Sequence, residues 1–258
     1  MILLDPHARP VIAHRGNRAH APEETLPALL EAVALGVDGL EFDLHASRDG
    51  QLVLFHDPTL NRTTAESGPV ASRTLAELRQ IDAGYRFSTD NGRSYPWRGR
   101  GATIVSFDEV VDALPRTLPL ILELKTSAAT EPLRTAIRRH ALADRVIVAG
   151  FEARAVHPLR GSGFALGASR REVLQVLPGA LLGRAVRPPC EAFCIPPDFH
   201  GIPLPIGALV RAMNPAGTVV HIWTVNSADE ARALWDQGVN GIITDDPAVI
   251  LAARDAYR

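Results

Sequence analysis

Short apolar segments alternate along the chain with segments whose apolar positions recur every three or four residues. The first kind is typical of strands buried in a parallel sheet, and the second is typical of amphipathic helices. The predicted strands are 11–14, 39–44, 118–124, 145–150, 164–167, 192–195, 219–224 and 241–244. The predicted helices are 24–35, 131–142, 153–160, 171–177, 205–214, 227–237 and 247–256.

Eight strand segments, most of them followed by a helix, predict an α/β fold of the closed (β/α)8 or TIM-barrel class. Such barrels commonly form one domain of about 250 residues, and the chain has 258. An open, doubly wound sheet is the alternative. Because no GxGxxG sequence follows the first strand, dinucleotide binding has little support. We therefore expect a single domain over 1–258.

The alternation is interrupted at about 46–117. Within it, Gln51–Phe55 predicts a short strand after the Asp49-Gly50 turn, and Leu75–Ile81 predicts a short amphipathic helix. Gly84–Gly101 is polar, rich in glycine and typical of an ordered loop. We interpret the segment as a small inserted subdomain between the second and third strands, placed where insertions shape substrate access.

Composition and charge exclude several classes of protein. Apolar residues make up 46% and the net charge is −2, without the basic excess of proteins that bind nucleic acids or membrane surfaces. No apolar run approaches the ~20 residues of a membrane span, and the N-terminus lacks the pattern of a secretory signal. Cys190 and Cys194 do not form a disulfide framework or a four-ligand zinc site. These features predict a cytoplasmic protein.

Polar side chains interrupt the second predicted strand. Glu41, Asp43 and His45 alternate with apolar residues and therefore point to one face. Burying two carboxylates together is unfavourable unless a cation neutralises them, and hard divalent ions such as Mg²⁺ or Ca²⁺ prefer oxygen ligands. The pattern favours a metal site, and a solvated face of an edge strand is the alternative.

The third predicted strand ends in Glu123-Leu124-Lys125. Glu123 offers a third carboxylate. Lys125 is the single lysine among 27 basic residues, and its compact ammonium group is not interchangeable with a guanidinium. It could meet an anionic substrate or pair with the carboxylates, and a purely structural ion pair is the alternative.

Two histidines follow strands, His14 in His14-Arg15-Gly16 and His56 in His56-Asp57. Histidine titrates near neutral pH and suits acid–base catalysis, and the guanidinium of Arg15 matches a phosphate. Trp223 follows the seventh strand and could line the organic part of a substrate or belong to the core. No function is predicted for Cys190, Cys194, His140, His157 and His200.

Further motifs complete an ordered set. The whole set is His14-Arg15-Gly16, Pro22-Glu23-Glu24-Thr25, Glu41-x-Asp43, Asp49-Gly50, His56-Asp57, Arg62-Thr63-Thr64, Glu123-x-Lys125, Trp223-Thr224-Val225-Asn226 and Gly241-Ile242-Ile243-Thr244-Asp245-x-Pro247. Each motif alone is weak. Together, over nearly the whole chain and at family-like spacing, they resemble the glycerophosphodiester phosphodiesterase family.

The resemblance implies a TIM barrel with a small subdomain after the second strand. It also implies metal-dependent hydrolysis of glycerophosphodiesters to glycerol 3-phosphate and an alcohol. Glu41, Asp43 and Glu123 would be the ligands of Mg²⁺ or Ca²⁺, with Mn²⁺ as a further candidate, and His14 and His56 would be the acid/base pair. The residues that would contact the phosphate or the glycerol are Arg15, Lys125 and Trp223.

Three positions depart from the family pattern. Glu24 stands where the family usually has asparagine, residues 148–151 lack a common serine, and Val105 replaces a common proline. Glu24 matters most, because a carboxylate there could contact the metal, alter its surroundings or turn outward. The departures bear on metal choice and substrate preference more than on the reaction class.

Two other function classes remain open. One is a related barrel lyase, of the phospholipase type, that releases a cyclic phosphate. The absence of a signal peptide and of an exposed apolar tail argues against it. The other is a catalytically silent barrel that binds phosphodiesters. Glu24 favours this class, whereas the presence of both histidines, all three acids and Lys125 argues against it.

Overall fold

The computed structural model describes residues 1–199 and 201–257, so His200 lies outside the described residues. The strands are β1 (Val11–His14), β2 (Gly39–Ala46), β3 (Leu52–Leu54), β4 (Leu120–Leu124), β5 (Val146–Ala149), β6 (Ala165–Leu166), β7 (Ala192–Ile195), β8 (Asp198–Phe199), β9 (Ile202–Pro203), β10 (Val219–Ile222) and β11 (Gly241–Thr244). The helices are α1 (Leu26–Ala34), α2 (Leu75–Leu78), α3 (Phe107–Ala113), α4 (Thr130–Arg139), α5 (Ala153–Val156), α6 (Arg170–Leu181), α7 (Ile206–Met213), α8 (Ala228–Asp236) and α9 (Pro247–Asp255).

Within the described ranges, eight parallel strands form a barrel. Their order in the sheet is β6-β5-β4-β2-β1-β11-β10-β7. A parallel bridge between Gly167, just after β6, and Ala192 of β7 joins the two ends of this order. The strands therefore follow one another around the ring in chain order, with helices between them. This confirms the predicted (β/α)8 fold and excludes the open, doubly wound sheet.

Two apolar layers hold the barrel together, and the alternation of side chains along each strand sorts residues between them. The interior is filled by a small cluster that includes Ile12, Ile121, Ile147 and Ile243. A larger layer lies between the strands and the surrounding helices. Phe42 of β2 points into this outer layer. Its neighbours in sequence, Glu41 and Asp43, therefore face the barrel interior.

Segment 46–117, expected as an insertion, contains two kinds of structure. Strand β3 pairs antiparallel with β2, and a separate apolar core that includes Phe55 and Leu78 holds the segment together. Helix α3, absent from the sequence prediction, packs Phe107 against Phe42 with ring centroids 6.3 Å apart. This helix thus fills the position of the barrel helix between β2 and β4.

The described helices are short, and the longest, α6, has 12 residues. None of the described helices is long and apolar enough to cross a lipid bilayer. The parallel strands carry their C-terminal ends to one face of the barrel, which is the face where barrel enzymes hold their active sites.

Candidate active site

Three carboxylates meet where β2 and β4 approach the C-terminal face of the barrel. Glu41 and Asp43 lie on β2, and Glu123 of β4 is the register partner of Asp43. One oxygen from each side chain lies within 4.8 Å of the corresponding oxygens of the other two. The structure therefore brings together all three residues that the sequence marks as candidate metal ligands.

Burial makes this cluster electrostatically unfavourable without a cation. Burial, and then the charge of Asp43, raise the pKa of Glu41 well above its usual value, and they raise the pKa of Glu123 to about 7. Oε2 of Glu41 has no hydrogen-bond partner among the described residues. A buried, unpaired carboxylate oxygen is costly, and oxygen clusters of this kind suit a hard divalent ion. The donor set thus fits the implied metal.

Two cations stand beside the carboxylates. Nζ of Lys125 donates to Oε1 of Glu123 at 2.6 Å and lies 2.9 Å from Oδ1 of Asp43. Nε of Arg15 lies 2.9 Å from the other carboxylate oxygen of Asp43. Burial alone would raise the pKa of Asp43, but Lys125 and Arg15 outweigh it and hold that pKa below its usual value. Of the two roles considered for Lys125, the structure shows the pairing with carboxylates.

Glu24 adds a fourth carboxylate and does not turn outward. It is 3% exposed, its Oε1 accepts the backbone N–H of Asp43 at 3.0 Å, and its Oε2 lacks a hydrogen-bond partner in the part of the chain described. Burial, and then Asp43 and Glu41, raise the pKa of Glu24 well above its usual value. The four carboxylates outnumber Lys125 and Arg15, and a bound divalent ion would favour their ionised forms.

His14, the last residue of β1, is held by a carboxylate. Its Nδ1 lies 2.6 Å from Oδ1 of Asp245. Because an ionised carboxylate only accepts hydrogen bonds, Nδ1 carries the proton, and Nε2, 3.9 Å from Oε2 of Glu41, is left unprotonated in the neutral ring. Burial lowers the pKa of His14, although the hydrogen bond that its Nδ1 donates to Asp245 opposes this. The ring is therefore suited to accept a proton.

His56 has a matching arrangement. Its Nδ1 lies 2.6 Å from Oδ1 of Asp57, and Oδ2 of Asp57 accepts a hydrogen bond from Nε of Arg62. Nε2 of His45 lies 3.2 Å from the backbone carbonyl oxygen of His56, which fixes the segment. Burial lowers the pKa of His56, while the charge of Asp43 acts in the opposite direction. Two histidine–aspartate dyads thus border the site.

Glu23 connects the two dyads. Its carboxylate accepts hydrogen bonds from Nη2 of Arg62 at 2.6 Å, from Nε of Arg18 at 2.9 Å and from Nη1 of Arg15 at 3.1 Å. Nη1 of Arg18 in turn donates to Oδ2 of Asp245 at 2.9 Å. The continuous path runs through His14, Asp245, Arg18, Glu23, Arg62, Asp57 and His56. Despite its burial, Glu23 has a pKa well below the usual value, because the arginines favour its charged form.

The loop after β1 contains two residues other than glycine with uncommon, positive φ angles. Arg15 and Glu24 have φ values of +57° and +60°, which are uncommon for residues other than glycine. The N–H of Arg15 donates to the carbonyl of Glu41 at 2.7 Å, and that of Glu24 donates to the carbonyl of Arg15 at 3.2 Å. A Cβ at Gly16 would stand 2.5 Å from the backbone of Ala28. Only glycine therefore allows this loop to pack on α1.

One cavity of about 300 Å³ lies beside these groups. It is lined by His14, Arg15, Glu41, His56, Glu123 and Lys125, and Ser169 and Arg170 at the start of α6 add further polar groups to the lining. Trp223 also lines it and stacks edge-on against Phe151, with ring centroids 5.8 Å apart. Trp223 also packs against the interior cluster of the barrel. Its side chain therefore belongs both to the core and to the cavity wall.

Of the described cysteines and histidines to which no function is ascribed, Cys194 lines the cavity, whereas Cys190, His140 and His157 are not among the described residues that line it. Burial raises the pKa of Cys190 to about 12 and raises that of Cys194 further, so that both thiols stay protonated at neutral pH. His140 pairs with Asp108 at 2.8 Å and His157 pairs with Glu172 at the same distance.

The chain is similar in sequence to a known protein family and to individual members of it. The sequence model of the glycerophosphoryl diester phosphodiesterase family matches residues 14–163 and 191–249. A glycerophosphodiester phosphodiesterase of Caldanaerobacter subterraneus subsp. tengcongensis is 30% identical over 259 aligned residues, which cover 93% of this chain and 96% of the relative. One from Bacillus subtilis is 26% identical, with 99% of this chain and 89% of the relative aligned.

Solved structures share the same architecture. A phosphodiesterase of Oleispira antarctica in complex with the product sn-glycerol-3-phosphate superposes with a TM-score of 0.74 at 28% identity, covering 96% of this chain and 98% of that chain. The glycerophosphoryl diester phosphodiesterase domain of a Mycobacterium tuberculosis protein superposes with a TM-score of 0.82 at 24% identity, covering 96% and 98%. The second likeness supports the fold alone.

Proposed function

The chain belongs to the glycerophosphoryl diester phosphodiesterase family, and from that premise we propose that it hydrolyses glycerophosphodiesters to glycerol 3-phosphate and an alcohol with a divalent metal ion. One observation carries the proposal. A cavity on the C-terminal side of the barrel is lined by carboxylates that need a cation and by both dyad histidines. A relative of the same fold was solved with sn-glycerol-3-phosphate as its product.

Glu41, Asp43 and Glu123 would hold the metal, for which we propose Mg²⁺ or Ca²⁺, with Mn²⁺ as a further candidate. When bound, the ion would polarise a phosphate oxygen and offset the charge that grows there in the transition state. Arg15 and Lys125 add fixed positive charge along the same cavity. Glu24 keeps the backbone of Asp43 in place through its hydrogen bond.

His14 and His56 would move the protons. Burial favours the neutral form of His14, and Asp245 orients its ring, so that its free Nε2 can take the proton of the attacking hydroxyl. The attacking group is either a water molecule or the neighbouring hydroxyl of the glycerol. His56, whose pKa is lowered by burial although the charge of Asp43 and the hydrogen bond to Asp57 act in the opposite direction, would then protonate the leaving alcohol. Trp223 would cover the glycerol.

A panel of glycerophosphodiesters tests the proposed function. Glycerophosphocholine, glycerophosphoethanolamine and glycerophosphoinositol are incubated with the protein and with Mg²⁺, Ca²⁺ or Mn²⁺, and glycerol 3-phosphate is detected by a coupled dehydrogenase. We expect glycerol 3-phosphate from at least one substrate when a metal is present. Tight substrate binding without turnover under every condition would instead indicate the silent barrel.

Replacing Glu23 by glutamine is expected to lower kcat by roughly 10–100-fold, in the range found when a partner that orients a site residue is lost. The change removes the negative charge that holds Arg18 and Arg62, and both dyads lose a fixed support. The rate is measured across the pH range. With less negative charge nearby, the pKa of the catalytic base should fall, and the acidic limb of the profile should shift to lower pH.

Glu66→Gln is the matched control for that variant. Glu66 pairs with Arg73 at 3.5 Å and is half-exposed, so its change removes the same charge and a glutamate–arginine pair away from the two dyads. We expect wild-type kinetics from the control. Equal kcat and an unshifted pH profile in both variants would mean that Glu23 does not position the dyads.

A further inference from the structure

The cavity carries positive charge on two opposite sides of the barrel. The ring order β1-β2-β4-β5-β6-β7-β10-β11 places β6 as far from β1 in one direction as in the other. His14 ends β1 and Arg15 follows it, whereas Arg170 comes after β6 as the first residue of α6. All three side chains line the same cavity. Arg170 therefore borders the site from across the barrel.

Arg170 differs from the other arginine and lysine side chains of the described lining in the balance of its charge. Arg15 pairs with Asp43 and Glu23, and Lys125 also pairs with two carboxylates. Arg170 is exposed, and within residues 1–199 and 201–257 no carboxylate forms an ion pair with its guanidinium. A guanidinium without a carboxylate partner is available to an anion from solution.

A stacking contact holds the guanidinium of Arg170 in place. Its central carbon lies 4.6 Å from the centroid of the Phe199 ring, which is within the range of a cation–π contact. Phe199 lines the cavity as well. Because stacking uses the face of the planar guanidinium, the N–H groups along its edge remain available for two parallel hydrogen bonds to a carboxylate or a phosphate. This arrangement suits an anion-binding group.

The backbone at the start of α6 does not supply such a site. The N–H of Arg170 donates to the carbonyl oxygen of Phe151 at 3.2 Å. The N–H of Arg171 donates to Oγ of Ser169 at 3.3 Å, and Glu172 completes a capping box with Ser169. Because these first N–H groups already have acceptors, binding of an anion here depends on the Arg170 side chain.

A glycerophosphodiester bound at the proposed centre has one arm that could reach Arg170. The phosphate would lie beside Arg15 and Lys125, and Trp223 would cover the glycerol. The other alcohol is then the part of the substrate that extends across the cavity toward α6. The ammonium group of choline or ethanolamine would meet a like charge at Arg170, whereas a carboxylate or a second phosphate would meet an opposite charge.

We propose that Arg170 is a specificity residue that favours glycerophosphodiesters whose leaving alcohol carries an anionic group. The proposal rests on the proposed function and deepens it. A carboxylate and a phosphate are two sources of the same chemistry, because each accepts two hydrogen bonds from one guanidinium. A serine headgroup carries the first group, and a phosphorylated inositol headgroup carries the second.

Two matched pairs of substrates test the proposal. Glycerophosphoserine differs from glycerophosphoethanolamine by one carboxylate, and glycerophosphoinositol phosphate differs from glycerophosphoinositol by one phosphate. The value of kcat/KM is measured from the loss of the diester phosphorus signal at saturating metal. For each pair, the value for the more anionic member is divided by the value for the other member. We expect this ratio to fall as added salt screens the charge of Arg170.

Variants at the start of α6 locate the effect. Arg170→Gln removes the charge at an exposed position, so folding is not at risk, and it should lower the ratio in at least one pair roughly three- to tenfold. Arg170→Lys keeps the charge without the planar fork and should lose part of the ratio. Arg171→Gln is the matched control. Arg171 is the next residue of the helix and is exposed, but it is not among the described residues that line the cavity, so this variant should keep the wild-type ratio.

Four other outcomes would overturn the proposal. Ratios that Arg170→Gln leaves unchanged, with continued hydrolysis of glycerophosphoethanolamine, refute it and leave the proposed function standing. Equal losses for both members of each pair give Arg170 a role common to all substrates. A ratio lowered as much by Arg171→Gln as by Arg170→Gln reflects the surface charge of the helix. No hydrolysis of any substrate, with each metal, refutes the proposed function together with the specificity of Arg170.

Discussion

Replacing His14 by alanine is expected to lower kcat for glycerophosphocholine by about 10²–10⁴-fold, the usual contribution of general acid–base catalysis, and His56→Ala should do the same. The reason is that each ring, oriented through Nδ1 by a carboxylate at 2.6 Å, offers its other nitrogen to the cavity. KM should change much less. The measurement is steady-state kinetics on folded protein, with folding checked by circular dichroism and thermal denaturation.

His140→Ala is the matched control for both histidine variants. His140 is also paired with an aspartate, at 2.8 Å from Asp108, but it packs beside Phe107 on the outer layer of the barrel. The His140→Ala variant should retain wild-type turnover. If a folded His14→Ala or His56→Ala variant also turned over glycerophosphocholine at nearly the wild-type rate, the assignment of that histidine would be wrong.

Removing the metal, or the carboxylates proposed to hold it, should have an effect at least as large. Charge stabilisation by a bound ion amounts to several kcal/mol, which corresponds to roughly 10³-fold or more in rate. Asp43→Asn and Glu123→Gln are therefore expected to lose nearly all activity, and a chelator should abolish the activity of the wild-type protein. Added Mg²⁺, Ca²⁺ or Mn²⁺ should restore the activity of the wild-type protein and should not restore that of the two variants.

Metal binding is measured directly by titration calorimetry, independent of turnover. One ion per chain is expected to bind the wild-type protein and to raise its Tm, and both effects should be much weaker in Asp43→Asn. Because protons compete with the ion for the carboxylates, apparent affinity should weaken as the pH falls below the pKa of Glu123, about 7. Glu131→Gln, at an exposed acid on α4, is the control. Chelator-resistant hydrolysis would refute a required labile metal.

The barrel and the carboxylate cluster were predictable because they rest on short periods in the sequence. The two-residue alternation in β2 sends Glu41 and Asp43 to the face opposite Phe42, and parallel register then places Glu123 beside Asp43. The polar face of a buried strand can be predicted from this alternation alone, and only the register of the neighbouring strand is needed to place Glu123 beside it. For this reason the sequence suffices to bring the three acids together.

Helix α3 was missed although its signals are local. Ser106 and Glu109 form a complete capping box, and Phe107 and Val110 supply the apolar spacing of a buried helix. The polar, glycine-rich stretch of 84–101 before it led the whole segment 46–117 to be interpreted as an insertion. A closer count of capping boxes would have found the helix.

The ion network around Glu23 could not have been predicted from the sequence. Its members come from separate parts of the sequence, and Arg18 and Asp245 stand 227 positions apart in the chain. Arginine side chains are long and can reach several partners, so the pairing depends on how the loops after β1 and β11 meet. For Lys125 the sequence predicted either an anionic substrate or the carboxylates as its partner, and the structure shows the two carboxylate partners coming from different strands.

Phosphorus NMR of the wild-type protein with glycerophosphocholine tests the central claim most directly. The protein is first stripped of metal, and Mg²⁺, Ca²⁺ or Mn²⁺ is then added to separate samples. The diester signal should persist in the stripped sample and convert to the glycerol 3-phosphate signal after a metal is added. A stable cyclic phosphate as the product, undiminished conversion in the stripped sample, or an unchanged diester with all three metals would contradict metal-dependent hydrolysis at this site.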